Sequence, residues 1–230
     1  MRISLKRGNI VYLLVIGLVY FIAVFTIPSL LPLTLDVNLK LNIVLGLASV
    51  ATIIMISYSL KVKNDIESGQ KKYDLITLFA IGIIGFIAMM IFQVMINSFL
   101  QYLARFFEFQ TSSKNTDNIV QILNFKPIFV LYVAVLGPIM EELFFRKAVF
   151  GYFYDIMLGS KKWIRFLIPA CITGIIFAIP HDGFSPLMII YIAMSMVFSF
   201  LYLKTKSIIA PMAAHILMNS LVVAIQLFVK

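Results

Sequence analysis

The side chains of this chain that could do chemistry lie in three short stretches: "EELFFR" with Glu141, Glu142 and Arg146, "FAIPH" with Phe177 and His181, and "HILMN" with His215 and Asn219. A carboxylate can take a proton from water, an imidazole can orient that water or bind a metal ion, and N–H groups can donate to a developing oxyanion. Hydrolysis needs an activated water and a stabilised oxyanion, so the residue types suit it. All three stretches sit inside apolar runs. A charge at the centre of a membrane helix costs roughly 2.5–3.5 kcal/mol on insertion scales, so such residues normally face a bundle interior or a wet cavity.

Helical geometry divides the two glutamates. Glu142 and Arg146 are i, i+4, share a face and can neutralise each other. Glu141 points about 100° away and lacks that partner. The pair Glu142–Arg146 therefore reads as support, and Glu141 as the available carboxylate. Phe177 and His181 are also i, i+4, as are His215 and Asn219. A lone histidine in a membrane helix is often only a helix-to-helix hydrogen bond. Two histidines, an asparagine and a spare glutamate within one stretch of chain are harder to read that way. Gly137-Pro138 lies just upstream, and a proline kink there would free carbonyls near the glutamates.

The elements that must position these residues are membrane helices. Of 230 residues, 62% are hydrophobic and 13% charged, with mean hydropathy +1.02. A soluble domain of this size could not bury so much apolar surface. A span needs about 20 apolar residues for a core of roughly 30 Å. Seven segments qualify, at about 9–33, 39–60, 75–100, 127–150, 166–181, 186–203 and 207–229. The predicted fold is an all-α polytopic bundle with an intramembrane polar cavity. Residues 1–126 form three spans and an outer loop, and 127–230 a four-span core. The first apolar run is too long for a signal-peptide h-region and has no small-x-small cleavage site, so it reads as a retained helix. The single cysteine, Cys171, excludes an intramolecular disulfide.

The net charge of +9 does not indicate nucleic-acid binding, because the basic residues fall between spans rather than along one face. With the N-terminus in the cytoplasm, fourteen of the 19 Lys and Arg residues fall inside: Arg2, Lys6, Arg7, Lys61, Lys63, Lys71, Lys72, Arg146, Lys147, Lys161, Lys162, Arg165, Lys204 and Lys206. The asymmetry predicts a multi-pass membrane protein with a cytoplasmic N-terminus. Glu141 would then lie roughly 22 Å below the outer face and His215 roughly 12 Å above the inner one, depths that nearly meet. His181 ends its span and is expected nearer the outer face.

The motif residues resemble a known family. "EELFFR" is similar to the EE-x3-R motif of the CPBP (CAAX protease and bacteriocin-processing, Abi) membrane proteins, related to type II CAAX prenyl endopeptidases. "FAIPH" and "HILMN" resemble the family's F-x3-H and H-x3-N motifs, in the same order. The resemblance covers about residues 127–225. It implies an intramembrane endopeptidase with Glu141, His181, His215 and Asn219 catalytic, and Glu142, Arg146 and Phe177 supporting. The family is often described as metallopeptidases. Zinc is the candidate cofactor, with Glu141, His181 and His215 as ligands, and both the metal and metal-free versions stay open at this stage. The expected partners are the lipid bilayer and a membrane-associated protein or peptide precursor, such as a bacteriocin or pheromone precursor. A non-catalytic role in bacteriocin immunity or as a regulatory scaffold is the alternative. Nothing in the sequence specifies an oligomeric state.

Overall fold

The computed structural model describes residues 7–69 and 73–228. In chain order its helices are α1 (Asn9–Leu30), α2 (Val37–Ser59), α3 (Leu75–Leu103), α4 (Lys114–Phe125), α5 (Pro127–Ile156), α6 (Lys162–Asp182), α7 (Met188–Thr205) and α8 (Ile209–Leu227). All but α4 are long and apolar enough to cross a membrane. The described residues contain no strand. With water absent from the hydrocarbon core, helices satisfy their backbone groups internally. Large apolar side chains such as Leu14, Ile53, Ile84 and Phe92 remain on the outside, where lipid replaces solvent. This is a multi-pass membrane protein.

Helix starts follow local chemistry. Asp36, Asp74 and Ser113 each accept a hydrogen bond from a backbone N–H three residues on, at 3.0, 2.8 and 3.2 Å. The last of these caps α4, an amphipathic helix where the sequence reading placed only a connection. Its Leu123 is buried against Phe129 and Val223. Two boundaries move as well. α5 runs on to Ile156, and α6 starts at Lys162 and continues through Pro180 to Asp182. Gly183, at φ 62°, ends α6 in a conformation that a side chain would disfavour.

α5 is the central helix. Of its most apolar window 56% is buried, against 22–39% for the other six spans. α3 closes in on α7 and α8 through glycines. A Cβ on Gly82 would lie 2.9 Å from the Ala210 carbonyl, and one on Gly85 2.5 Å from Leu201.

The chain after α2 folds back to seal one end of the bundle. Ile66 is buried with Phe150 and Tyr202. Asn64 caps the helical turn Asp65–Ser68 and donates to the Tyr202 hydroxyl at 2.7 Å and the Lys147 carbonyl at 3.2 Å. Lys147 Nζ donates to the Ser59 carbonyl at 2.7 Å and pairs with Glu67 at 2.8 Å. Tyr12 bonds Ser59 at 2.6 Å, and Asn9 donates to Asp155. Of the charges used to predict orientation, Arg2, Lys6, Lys71, Lys72 and Lys230 lie outside the described residues. Arg146 is not a surface charge but a fully buried one.

Candidate active site

The backbone of α5 departs from α-helical form on both sides of Glu141. Tyr132–Leu136 and Glu142–Phe150 are π-helical, and Gly137–Glu141 is an α-helical turn between them. Such insertions are frequent at functional sites. The proline has a traceable effect. Gly137 N–H bonds the Tyr132 carbonyl, an i→i+5 pairing. The next donor in that register is residue 138, and Pro138 has no N–H. The carbonyl left over, Val133 O, accepts instead from Asn219 Nδ2 of α8 at 2.9 Å. The expected freed carbonyl exists, and a side chain from another helix satisfies it.

Glu142 and Arg146 are fully buried and form an ion pair at 3.2 Å between Oε2 and Nε. That contact is not aligned as a hydrogen bond, and the guanidinium nitrogens have no hydrogen-bond partner among the described residues. The guanidinium carbon instead lies 4.6 Å from the Phe177 ring centre and 4.8 Å from that of Phe198. Cation–π attraction strengthens when the partners are desolvated. Phe177 and Phe198 thus support the cation. The other oxygen of Glu142 receives a hydrogen bond from His215 Nδ1 at 2.9 Å. Glu142 therefore holds an arginine from its own helix and a histidine from α8.

His215 joins the two carboxylates. A carboxylate only accepts, so Nδ1 carries a hydrogen toward Glu142. Its Nε2 lies 3.5 Å from Glu141 Oε2. Phe198 stacks on the His215 ring at 4.6 Å and fixes its plane.

Glu141, His181, His215 and Asn219 all line one cavity of about 530 Å³, while Glu142 and Arg146 lie behind its wall. Glu141 is 19% exposed and His215 2%. His181 reaches this cavity from the end of α6. Side chains on a helix lean toward its N-terminus, and the imidazole sits over the preceding turn, 4.6 Å from the Phe177 ring. Phe177 in turn lies 6.0 Å from the His215 ring, so one phenyl group packs near both histidines. His181 Nδ1 donates to the Phe177 carbonyl at 2.8 Å, because a carbonyl can only accept. Its Nε2 then carries the lone pair and has no partner among the described residues.

A zinc site from Glu141, His181 and His215 does not fit this arrangement. No group of three or more His, Cys, Asp or Glu among the described residues could hold a metal ion.

Sequence reasoning missed several residues of the cavity wall. Tyr20, Gln93 and Asn97 come from the first hundred residues, and Tyr132 and Tyr191 from later spans. Gln93 and Asn97 carried a readable signal, two amides at i, i+4 within an apolar run. The α4 residues Asn115, Thr116 and Ile119 complete the wall.

Residues 123–221 match the family model described as type II CAAX prenyl endopeptidase Rce1-like. The chain is 32% identical over 191 residues to the membrane-embedded CAAX protease MroQ of Staphylococcus aureus, covering 81% of this chain and 73% of MroQ. It is 34% identical over 166 residues to YdiL of Bacillus subtilis, covering 72% of this chain and 63% of YdiL. A shorter match, 30% over 104 residues, is to the UPF0177 protein YaiH of Lactococcus lactis, covering 44% and 40%. No solved structure matches.

Proposed function

This chain belongs to the Rce1-like family of CAAX-type membrane proteases, and we propose that within it Glu141 activates water to hydrolyse an internal peptide bond of a membrane-associated protein or peptide precursor. One observation carries this reading. Of two adjacent glutamates, Glu142 holds Arg146 and His215 in a closed wall, while Glu141 faces the cavity beside His215 Nε2.

The reaction is carried by side chains alone. Glu141 takes a proton from water as the water oxygen adds to the scissile carbonyl carbon. His181 Nε2 accepts the water's other hydrogen and orients it. The Nε2–H of His215 and the second N–H of Asn219 donate to the oxyanion; the first N–H of Asn219 is committed to Val133. As the C–N bond breaks, Glu141 returns its proton to the leaving amine. Glu142 holds the His215 ring in place through Nδ1 throughout. The surrounding ring of Phe177 and Phe198 keeps the site's dielectric low, which strengthens each of these contacts.

Peptidomics of a strain lacking this protein, complemented with the parent or with Glu141→Gln, tests the reading. The Gln strain should accumulate the same precursor as the deletion while the variant inserts at normal levels. Restored processing by Glu141→Gln would overturn it. A chelator should leave cleavage by the purified protein unchanged.

A further inference from the structure

His181 is held by more than its own helix. Its ring packs against Phe177, at 4.6 Å, and against Tyr191 of α7, at 4.5 Å, with those two rings 6.5 Å from each other. Tyr191 is itself fixed from two directions. Its hydroxyl donates to Asp182 Oδ2 at 3.0 Å and lies 3.2 Å from Ser113 Oγ. Ser113 is the cap of α4, and the first turn of that helix bonds the same carboxylate: Asn115 N–H reaches Asp182 Oδ1 at 3.2 Å. Asp182 is the residue after His181 and the last of α6. The histidine helix, the tyrosine helix and the amphipathic helix that forms part of the cavity wall therefore meet at one carboxylate.

We propose that Tyr191 is a positioning residue for His181, held in place by Asp182 and by the start of α4. This rests on the reading of His181 as the group that orients the attacking water. The Phe177 carbonyl fixes Nδ1 but leaves the ring free to tilt about that bond. Tyr191 packs on the ring from a second side, roughly at right angles to Phe177, and so limits that tilt and where Nε2 points into the cavity. The clamp needs the aromatic ring for contact and the hydroxyl to hold that ring still. A shift of about 1 Å in a catalytic group can lower a rate by as much as 10²-fold.

The test compares Tyr191→Leu, Tyr191→Phe and Asp182→Ala with the parent in proteoliposomes, using the precursor identified by peptidomics. Tyr191→Leu should lower kcat by roughly 10- to 100-fold with KM within about twofold, because the ring contact is lost. Tyr191→Phe should recover most of that loss, and Asp182→Ala should fall between them. A second readout does not depend on turnover. The chain has two histidines, so imidazole ¹⁵N spectra resolve each by elimination. The Nδ1–H signature of His181 should persist in Tyr191→Phe and give way to mixed tautomers in Tyr191→Leu. An unchanged kcat in Tyr191→Leu, or an unchanged His181 spectrum, would overturn the proposal. Full activity of Glu141→Gln would instead overturn the catalytic reading on which it rests. An inactive Glu141→Gln beside a fully active Tyr191→Leu would remove the positioning role alone.

Discussion

Two clusters of buried polar side chains sit on the central helix α5, and they are built differently. The one around Lys147 seals an end of the bundle. Lys147 meets Glu67 and the Ser59 carbonyl, Asn64 meets Tyr202, and Tyr12 meets Ser59, at 2.6–2.8 Å. Around Glu141 the groups face a cavity of about 530 Å³ and keep capacity in reserve. Glu141 touches one histidine at 3.5 Å, and His181 Nε2 has no partner among the described residues. Both clusters take polar groups out of lipid, which is tolerable only where they face the bundle interior. The first satisfies them with one another, and this rigidifies the fold. The second leaves acceptors and donors for something not part of the chain. Polarity inside the bundle is therefore no mark of chemistry by itself; unsatisfied polarity facing a cavity is the better mark.

Substitutions can break or sharpen that contrast. The largest effect is expected at the wall between the clusters. Glu142→Leu leaves Arg146 buried without its carboxylate and His215 without its anchor. Breaking a buried pair in this way costs about 3–5 kcal/mol, so the unfolding midpoint in detergent and the cleavage rate should both fall. Asn219→Leu should follow. It orphans the Val133 carbonyl and removes an oxyanion donor, lowering kcat by roughly 10²-fold, with a loss of stability of about 1–3 kcal/mol. Lys147→Met should cost about 1–3 kcal/mol by leaving Glu67 and the Ser59 carbonyl unpaired, with turnover per folded molecule unchanged. Tyr12→Phe, which deletes one hydroxyl contact, should cost about 1 kcal/mol and leave turnover alone. A variant of the Lys147 cluster that slowed turnover without unfolding would erase the distinction.

The seven spans were legible because long apolar runs have few other uses. The partition of the glutamates was legible because i, i+4 is a local relation: Glu142 and Arg146 pair as their spacing requires. What escaped was tertiary. His215 lies 73 residues from Glu142 in sequence, so nothing local announces that it bridges both carboxylates. α4 was read as a connection because its polar first turns mask the apolar face around Ile119, Ile122 and Leu123. His181 looked too near the outer face because the spacing places its backbone at the end of the span and not the direction of its side chain. The helix starts at Lys162, passes through the proline and ends at Gly183, and the imidazole leans back over Phe177. Lys147 was counted only among the inside charges, and the turn Asp65–Ser68 that helps bury it is only 4 residues long.

One crossed measurement tests the role of Glu141 most directly: Glu141→Gln and Lys147→Met, each assayed for peptide cleavage in proteoliposomes and for unfolding midpoint in detergent. Glu141→Gln should lose cleavage by at least roughly 10²-fold with its midpoint unchanged, and Lys147→Met should lose stability and keep its turnover per folded molecule. A Glu141→Gln protein that cleaves at the parent rate, or that loses activity only in proportion to lost fold, would contradict the assignment of the chemistry to Glu141.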